Sequence, residues 1–469
     1  RRALEMSGYE VQQVINITDV GHLVSDQDDG EDKMIVGAKR EGKSVEDLIK
    51  RYSDAFYDDL KALNIKAAAD RGKEECFPRA THHIPEQKAL IEELAKKGFT
   101  YQTSDGIYFD TSKFPDYGKF ALLDVAGMRG GERVALGEKK YITDFALWKF
   151  SPQDGQKREQ EWDSPLGISR KGFPGWHIEC SAMSRKYLGQ PFDIHTGGVD
   201  HIPIHHQNEI AQSKAAYGVP LANYWMHSEH MTVNGQKMSK SLGNTYTLKD
   251  LRKRGISPMV FRYWLLTANY RTQVNFTWDT LEGAKKGYDK LRQKIYTLKK
   301  LRENKNYDKN YSFPDEKQFL GPVFEDLNTV PVLSALQNFI SDSTGFKIVD
   351  RKKIIKAADR VFGLKLFGWR SDQIKVSLDK DVDIITHRGL KKYLVSLKTS
   401  DSANGALEKS LNRKENIQQN SFLKKYLIDR HWSRKQNNFT TSDTLREEIK
   451  KLGYEVKDTS EGQQLEKRS

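Results

Sequence analysis

Three residue types that bind transition metals lie within one short stretch of the sequence. Cys180 belongs to the segment GWHIECSAM, and His205 and Glu209 belong to HHQNEIAQ. His205 and Glu209 are four residues apart among good helix formers, and this spacing places both side chains on one helical face. A thiolate, an imidazole and a carboxylate suit Zn²⁺ better than Mg²⁺ or Ca²⁺, which prefer oxygen ligands. The three residues alone fit equally well with a buried cysteine beside an ordinary surface helix.

The same stretch contains two features that suit a polyphosphate. Gly197, Gly198 and Asp200 predict a small, flexible turn that ends in an acid. The KMSKS loop, residues 237–241, combines two cations with two hydroxyls: Lys237, Met238, Ser239, Lys240 and Ser241. Ammonium and hydroxyl groups together can surround phosphates with charge and hydrogen bonds. A lysine-rich loop is ordinarily a solvated surface, but an unbroken KMSKS followed by LGN is far more specific.

The KMSKS loop resembles the signature loop of class I aminoacyl-tRNA synthetases, which helps to bind ATP. Residues 175–241 as a whole resemble cysteinyl-tRNA synthetases. The resemblance implies that Cys180, His205 and Glu209 bind one Zn²⁺ and that Lys237 and Lys240 serve catalysis. It further implies that the KMSKS loop contacts ATP, with Mg²⁺ as counterion, and we expect Gly197, Gly198 and Asp200 to join it.

Two further residues are candidates for the amino-acid pocket. The segment PRATHHI resembles the PRATEHI of the family, whose threonine lies near this pocket, so Thr81 is expected to contact the substrate. Trp176, four residues before Cys180, either walls the pocket or is a core tryptophan. Asp19 follows an apolar, β-branched stretch, residues 11–17, that predicts a buried parallel strand. It is either a ligand-contacting group at the strand end or a cap or turn residue.

Composition limits the class of protein. The chain has 469 residues and a formal net charge of +13, so a polyanionic partner is expected, although charge alone does not separate nucleic acid from an anionic membrane. No apolar run reaches the roughly 18 residues of a membrane span, and no signal peptide is visible. The two cysteines cannot form a disulfide framework, which indicates a reducing, cytoplasmic location. No heptad seam suggests an obligate dimer, so we expect a monomer.

The resemblance and the hydrophobic patterns predict an α/β protein. We expect a Rossmann-like, doubly wound parallel nucleotide-binding domain, then an α-helical bundle, then a small C-terminal α+β domain. The expected ranges are 1–246 for the catalytic domain, 247–370 for the bundle, 371–421 for polar helices and linker, and 422–469 for an anticodon-binding domain. Apolar residues at spacings of three and four across 281–301 predict a helix whose lysines form either a solvated face or a tRNA surface.

The first residues of the chain do not resemble the usual start of the family's sequences. Arg1 stands where a methionine is usual, and RRALEMSGYEV is typical of the middle of a helix. Cysteinyl-tRNA synthetases begin with a strand that carries another zinc-ligand cysteine, followed by a HIGH-type ATP motif, and neither pattern occurs in this sequence. The resemblance therefore implies a missing amino-terminal segment, and the chain as given is expected to be inactive.

The expected function is that of a cysteine–tRNA ligase. Its partners would be cysteine, ATP and tRNA-Cys. Two alternatives stay open: a ligase that joins cysteine to an amino-sugar, and a tRNA-binding paralogue without catalysis. The closing segment favours tRNA, because it places cations beside Tyr426 and Trp432: Lys424, Lys425, Arg430, Arg434 and Lys435. The alternative is a small domain that packs Trp432 and Phe439 inside.

Overall fold

A computed structural model describes two compact units, Arg1–Leu366 and Phe367–Ser469. The described residues are 1–20, 37–38, 40–123, 138–153, 158–301, 315–341, 347–367, 374–379, 382–386, 392–397, 426, 430, 439–451, 454–459 and 462–467. The predicted division into four ranges stays a prediction. The described part of the chain contains no helix with the length and apolar character needed to cross a membrane.

The first unit alternates short strands with helices and ends in helices. Its helices are α1 (Arg2–Met6), α2 (Val45–Ala62), α3 (Ile84–Lys96), α4 (Trp176–Leu188), α5 (Gln207–Tyr217), α6 (Leu248–Lys253), α7 (Pro258–Leu266), α8 (Trp278–Lys300), α9 (Glu316–Phe324), α10 (Thr329–Ser341) and α11 (Ile348–Phe362). Its strands are β1 (Thr100–Gln102), β2 (Gly106–Phe109), β3 (Phe145–Phe150), β4 (Trp162–Asp163), β5 (Lys171–Pro174), β6 (Phe192–Gly198), β7 (Ala222–Ser228), β8 (Met231–Val233), β9 (Gln236–Lys237) and β10 (Val274–Phe276).

Strands β6 and β7 are the parallel pair that supports the candidate site. Their register runs from Phe192 opposite Ala222 to Gly198 opposite Ser228. Helix α5 connects the two strands, as in a βαβ unit. The carboxyl ends of both strands consequently lie at one edge, where ligand sites of α/β folds form.

An antiparallel sheet in the order β1-β2-β3-β5-β4 packs against helices α3, α4 and α5. Every residue of β3 is buried, and the core includes Trp148, Ile178 and Ala211. This core holds the start of α4 firmly in place. A Cβ at Gly175, the residue before α4, would lie 2.2 Å from the carbonyl oxygen of Ala146, so the close approach requires glycine.

The predicted buried strand over residues 11–17 is wrong in its extent. Ile15 and Ile17 donate backbone hydrogen bonds to the carbonyls of Cys76 and Pro78 at 2.9 and 2.8 Å. One parallel bridge, between Ile17 and Arg79, is formed, and most side chains of the segment are half-buried. The ladder does not continue because Cys76 to Arg79 is itself an irregular segment rather than a strand.

Helix α8 confirms the apolar spacing read from the sequence. Leu281, Tyr288, Leu291, Ile295 and Leu298 are all buried, whereas Leu301, the last residue of the predicted range, follows the helix and is exposed. The helix begins with a capping box in which Thr277 and Thr280 exchange hydrogen bonds between side chain and backbone. The lysine-bearing faces of the helix are therefore turned away from this core.

The second unit corrects the expectation of polar helices and linker over residues 371–421. It contains strands β11 (Ile374–Asp379), β12 (Val382–Thr386) and β13 (Lys392–Leu397), followed by helix α12 (Phe439–Lys451) and strands β14 (Tyr454–Thr459) and β15 (Gly462–Lys467). The strands form one antiparallel sheet in the order β11-β12-β13-β15-β14. Alternating β-branched and polar residues fit such a sheet, and their pairing with the closing hairpin overrides the high overall polarity.

Two residues of the closing segment differ from expectation. Arg430 is fully buried, so it does not belong to an exposed basic surface. Phe439 is 52% exposed, so the alternative that packs this ring inside is wrong. Lys424, Lys425, Trp432, Arg434 and Lys435 lie outside the described residues.

Candidate active site

Helices α4 and α5 bring three predicted metal ligands together. Cys180 lies in α4, His205 in the π-helical turn Ile202–His206, and Glu209 in the first turn of α5. One ligand atom from each residue lies within 4.8 Å of the others. His205 Nε2 is 3.7 Å from Glu209 Oε1, as the four-residue spacing predicts. The cluster combines residues from two helices that only the fold makes neighbours.

The surroundings of Glu209 favour a cation. The side chain is fully buried, and Oε1 accepts no hydrogen bond from any described residue. Burial opposes ionisation of this carboxyl, but His195 and His205 keep its pKa below the ordinary value. A buried carboxylate oxygen without a partner is costly unless a cation compensates it. The donor set and the unpaired oxygen therefore fit a zinc ion.

The thiol of Cys180 requires the same compensation. Burial, followed by the negative charges of Glu209 and Glu179, raises its pKa well above the ordinary value. A bound metal deprotonates a coordinating thiol because the positive charge reverses these effects. Without a metal the sulfur is therefore a poor nucleophile, and its position beside His205 and Glu209 fits a candidate metal ligand.

A second group of metal-binding side chains was missed by the sequence reasoning. His195, His206 and Glu209 also offer ligand atoms within 4.8 Å of one another. His195 Nε2 lies 2.9 Å from Glu209 Oε2, and His206 Nδ1 lies 2.8 Å from Nε2 of His227. The available signal was composition, since more than half of the 12 histidines fall within residues 175–241.

Burial keeps several of these histidines neutral. It lowers the pKa of His177 and of His205 to about 3, and that of His206 to about 2. His177 Nδ1 lies 2.9 Å from His205 Nδ1, a contact that requires one neutral acceptor and one donor. Neutral imidazole is the form that binds metals. The rings of His177, His205 and His206 are thus neutral, whereas His195 differs: against the effect of burial, the adjacent Glu209 carboxylate raises the pKa of this ring.

Gly197, Gly198 and Asp200 do not form the predicted turn. Gly197 and Gly198 are the last residues of β6, and Asp200 lies in the short helical turn Val199–His201 with its side chain exposed. A Cβ on Gly197 would lie 2.6 Å from Cε1 of His206. Glycine is required here because the histidine rings approach the strand closely, not because the backbone must bend.

The two pocket candidates differ in their surroundings. The Trp176 ring lies beside the metal candidates, with its centroid 4.5 Å from that of His205. The Thr81 hydroxyl, by contrast, donates a 2.7 Å hydrogen bond to Asp19, whose carboxylate also accepts from the Thr81 N–H at 2.9 Å and from Arg79 Nε at 2.7 Å. The Asp19 carboxylate therefore holds residues 79–81 in a turn, and the Thr81 hydroxyl is one of its hydrogen-bond donors.

The KMSKS loop is exposed at its cations and closed by internal hydrogen bonds. Lys237 ends strand β9, and its side chain and that of Lys240 are exposed. Ser239 Oγ accepts from the Leu242 N–H at 3.2 Å and lies 3.1 Å from Ser241 Oγ. Neither lysine ammonium forms an ion pair within the described chain. Two unpaired cations on an ordered loop are available to phosphates.

The fold and the site define a class I aminoacyl-tRNA synthetase. Residues 1–286 match the family model described as tRNA synthetases class I (C) catalytic domain. Mycobacterium tuberculosis methionyl-tRNA synthetase in complex with methionyl-adenylate superposes with a TM-score of 0.50 at 15% identity, covering 78% of this chain and 82% of that one. That likeness confirms the α/β, Rossmann-like fold.

The chain belongs to the cysteine–tRNA ligase family. The cysteine–tRNA ligase 1 of Burkholderia lata is 42% identical over 466 residues, which are 99% of this chain and 86% of the relative. The cysteine–tRNA ligases of Brachyspira hyodysenteriae and Thermus thermophilus are 36% and 35% identical, and each match covers 98% of this chain and 88% of the relative.

Proposed function

We propose that this protein activates cysteine with ATP and transfers it to the terminal ribose of tRNA-Cys. The proposal rests on one observation. Cys180, His205 and Glu209 lie close together, and Oε1 of Glu209 is buried without a hydrogen-bond partner among the described residues. The near full-length similarity to cysteine–tRNA ligases supports the same reaction. An exposed KMSKS loop in the same fold supports the use of ATP.

The first step would form cysteinyl-adenylate. The carboxylate of cysteine attacks the α-phosphorus of ATP, and pyrophosphate leaves with the electron pair of the broken P–O bond. Negative charge moves onto the departing pyrophosphate, so positioned ammonium groups gain attraction as the transition state forms. Lys237 and Lys240 would supply that charge, with Mg²⁺ accompanying the nucleotide. The step requires positioning rather than a protein nucleophile.

The second step would move the cysteinyl group to tRNA. A ribose hydroxyl of the terminal nucleotide attacks the carbonyl carbon of the adenylate, and AMP leaves. The lysine-bearing faces of α8 and the second unit are the surfaces we propose for the tRNA. Lys286 and Lys290 are exposed on α8, opposite its buried stripe, which supports contact with phosphates.

Selection of cysteine would rest on the metal candidates. Cys180, His205 and Glu209 would hold Zn²⁺, which when bound supplies a soft Lewis acid that prefers a thiolate to a hydroxyl. Serine differs from cysteine by one atom, and a hydrophobic pocket separates such near-isosteres weakly. His195, which hydrogen-bonds to Glu209, would hold the carboxylate in orientation, and Trp176 would cover the site.

The test is a pair of assays on the natural protein that carries this chain. Cysteine should support ATP–pyrophosphate exchange far better than serine, and tRNA-Cys should become charged with cysteine. Exchange without tRNA charging, together with cysteinylation of an amino-sugar, would replace this function with the amino-sugar ligase. Binding of tRNA-Cys without any exchange would favour the non-catalytic paralogue.

We also propose a monomer in a reducing, cytoplasmic environment. Both cysteines, Cys76 and Cys180, are free thiols, which supports a reducing compartment. A sedimentation equilibrium measurement should give the mass of one chain. A stable dimer at micromolar concentration would contradict the monomer.

A further inference from the structure

One asparagine closes the KMSKS loop by using both ends of its amide. The side-chain oxygen of Asn244 accepts a 2.7 Å hydrogen bond from the Ser239 N–H. Its side-chain nitrogen donates a 3.0 Å hydrogen bond to the carbonyl of Lys237. The same amide therefore holds the backbone on both sides of Met238. Asn244 is half-buried, whereas its neighbours Gly243 and Thr245 are exposed.

A turn at residues 240–243 brings Asn244 close to Lys237 and Ser239. The Gly243 N–H donates to the Lys240 carbonyl at 3.1 Å, and Gly243 has a φ of +62°, in the left-handed region that favours glycine. The chain thus reverses within residues 240–243 and returns Asn244 to the start of the loop. Gly243 allows the chain to reverse direction, and Asn244 closes the loop with its two hydrogen bonds.

Both ends of the closed loop are mounted on the same three-stranded sheet. Lys237 pairs with Thr232 where β9 lies against β8, and β8 in turn pairs with β10. Tyr246, two residues after Asn244, stacks on Phe276 of β10 with ring centroids 5.4 Å apart, and Phe276 is 2% exposed. The sheet therefore anchors the loop before its first lysine and after its closing asparagine.

We infer that Asn244 is a positioning residue that sets where Lys237 and Lys240 stand relative to the phosphates of ATP. The hydrogen bonds to Ser239 and Lys237 fix the backbone that carries both lysines, and neither bond uses a side chain that would contact the nucleotide. Long lysine side chains lose much rotamer entropy when they bind, so a fixed backbone leaves less to be ordered in the transition state. The inference rests on the proposed function, because it names ATP as the ligand of the loop.

The direct test replaces Asn244 in the natural protein. Asn244→Ala should lower the kcat of ATP–pyrophosphate exchange by about 10- to 100-fold, the loss typical of a slightly misplaced catalytic group. The KM for cysteine and the zinc content should stay at the wild-type level, because the metal candidates are on other elements. Asn223→Ala, which removes an exposed asparagine from β7, is the matched control and should leave every value unchanged.

A combined variant separates positioning from general damage. If Asn244 acts through the two lysines, adding Asn244→Ala to a variant that carries both Lys237→Ala and Lys240→Ala should cause no further loss of exchange. Fully additive losses would overturn the inference, since they would show that the asparagine acts independently of both lysines. Wild-type exchange by Asn244→Ala would overturn it as well.

Limited trypsin digestion tests the closure without relying on the proposed reaction. Cleavage after Lys237 and Lys240 should be faster in Asn244→Ala than in the wild type. Asn244→Asp, which keeps the acceptor for Ser239 but cannot donate to Lys237, should be cut at an intermediate rate. Unchanged cleavage in both variants would overturn the closure. A wild-type protein that shows this protection but no cysteine-dependent exchange would instead refute the proposed function.

Discussion

His195 Nε2 lies 2.9 Å from Oε2 of Glu209, and this contact directs the other oxygen of the carboxylate toward His205. The two oxygens therefore have separate surroundings. One is satisfied by an imidazole within the protein, and the other is buried without a hydrogen-bond partner among the described residues. A cation beside Oε1 is the simplest way to compensate its charge.

Metal content is the first prediction that follows from this arrangement. Cys180→Ser should lower the zinc bound by the natural protein well below one ion per chain, because serine oxygen is a poor zinc ligand at neutral pH. Cys76→Ser is the matched control, since Cys76 belongs to neither group of metal-binding side chains, and it should retain full zinc. Atomic absorption or mass spectrometry measures both. Full occupancy in Cys180→Ser would refute Cys180 as a ligand.

The second prediction concerns Gly197→Ala, because there is too little space for a side chain at this position. A Cβ at this position would lie 2.6 Å from Cε1 and 2.8 Å from Nε2 of His206, so Gly197→Ala must displace the buried ring. Overpacking of this kind costs about 1–3 kcal/mol in the free energy of unfolding. Zinc affinity should fall too, because the ring packs against the metal candidates.

The control for this prediction is a glycine with open space. A Cβ at Gly283 of α8 meets no atom within 4 Å. Gly283→Ala should stabilise the protein by up to about 1 kcal/mol, since alanine favours a helix. Urea denaturation measures both variants. Equal stability of Gly197→Ala and wild type would show that the histidine rings are not tightly held.

The role of Lys240 is tested by kinetics. Lys240→Ala should lower the kcat of cysteine-dependent ATP–pyrophosphate exchange by about 100-fold or more, because an ammonium group that gains interaction in the transition state is lost. The KM for cysteine should change little. Lys249→Ala, an exposed lysine of α6, is the control and should behave as wild type. A variant with normal kcat and weaker cysteine binding would contradict this role.

The division of labour between the two units is tested by deletion. Strand β13 pairs with β15, so a cut that removes residues 422–469 alone would split a sheet. Removal of Phe367–Ser469 instead follows the boundary of the compact units. Exchange should be nearly preserved, while the KM for tRNA-Cys in the charging reaction should rise. Wild-type charging by the shortened protein would exclude the second unit from tRNA recognition.

Replacement of Arg262 is expected to destabilise the first unit, because this side chain joins two of its helix ends. Its Nε donates to the Phe362 carbonyl at 2.7 Å, and its Nη1 donates to the Leu63 carbonyl at 3.1 Å. Burial lowers the pKa of this guanidinium to about 10, so it remains charged at neutral pH and complements two helix ends. Arg262→Met leaves both carbonyls without this donor and should cost about 1–3 kcal/mol in the free energy of unfolding.

The matched control for Arg262 is Arg252, an exposed arginine on α6. Arg252→Ala should change the stability by no more than about 0.5 kcal/mol, as is usual for a surface residue. Chemical denaturation followed by circular dichroism compares the two variants. Equal effects would mean that the buried guanidinium contributes nothing beyond an ordinary surface charge.

The sequence by itself determined those features whose physical cause is local. The apolar spacing of α8 follows from the helical repeat, and its buried stripe lies where that spacing predicts. His205 and Glu209 face each other because they are one helical turn apart. The KMSKS loop could be recognised from the sequence because its two lysines and two serines lie within five consecutive residues.

Only the tertiary structure decided features that join distant residues. The Gly197 backbone looked like a flexible turn, yet its lack of a side chain makes room for a histidine from the next element. The Thr81 hydroxyl bonds to Asp19, 62 residues away, a contact that no local pattern indicates. Residues 392–395 fall in a range expected to be polar helices and linker, yet they pair with strand β15 of the closing hairpin. Local pattern cannot encode these outcomes, because each depends on which remote atoms the folded chain brings within contact distance.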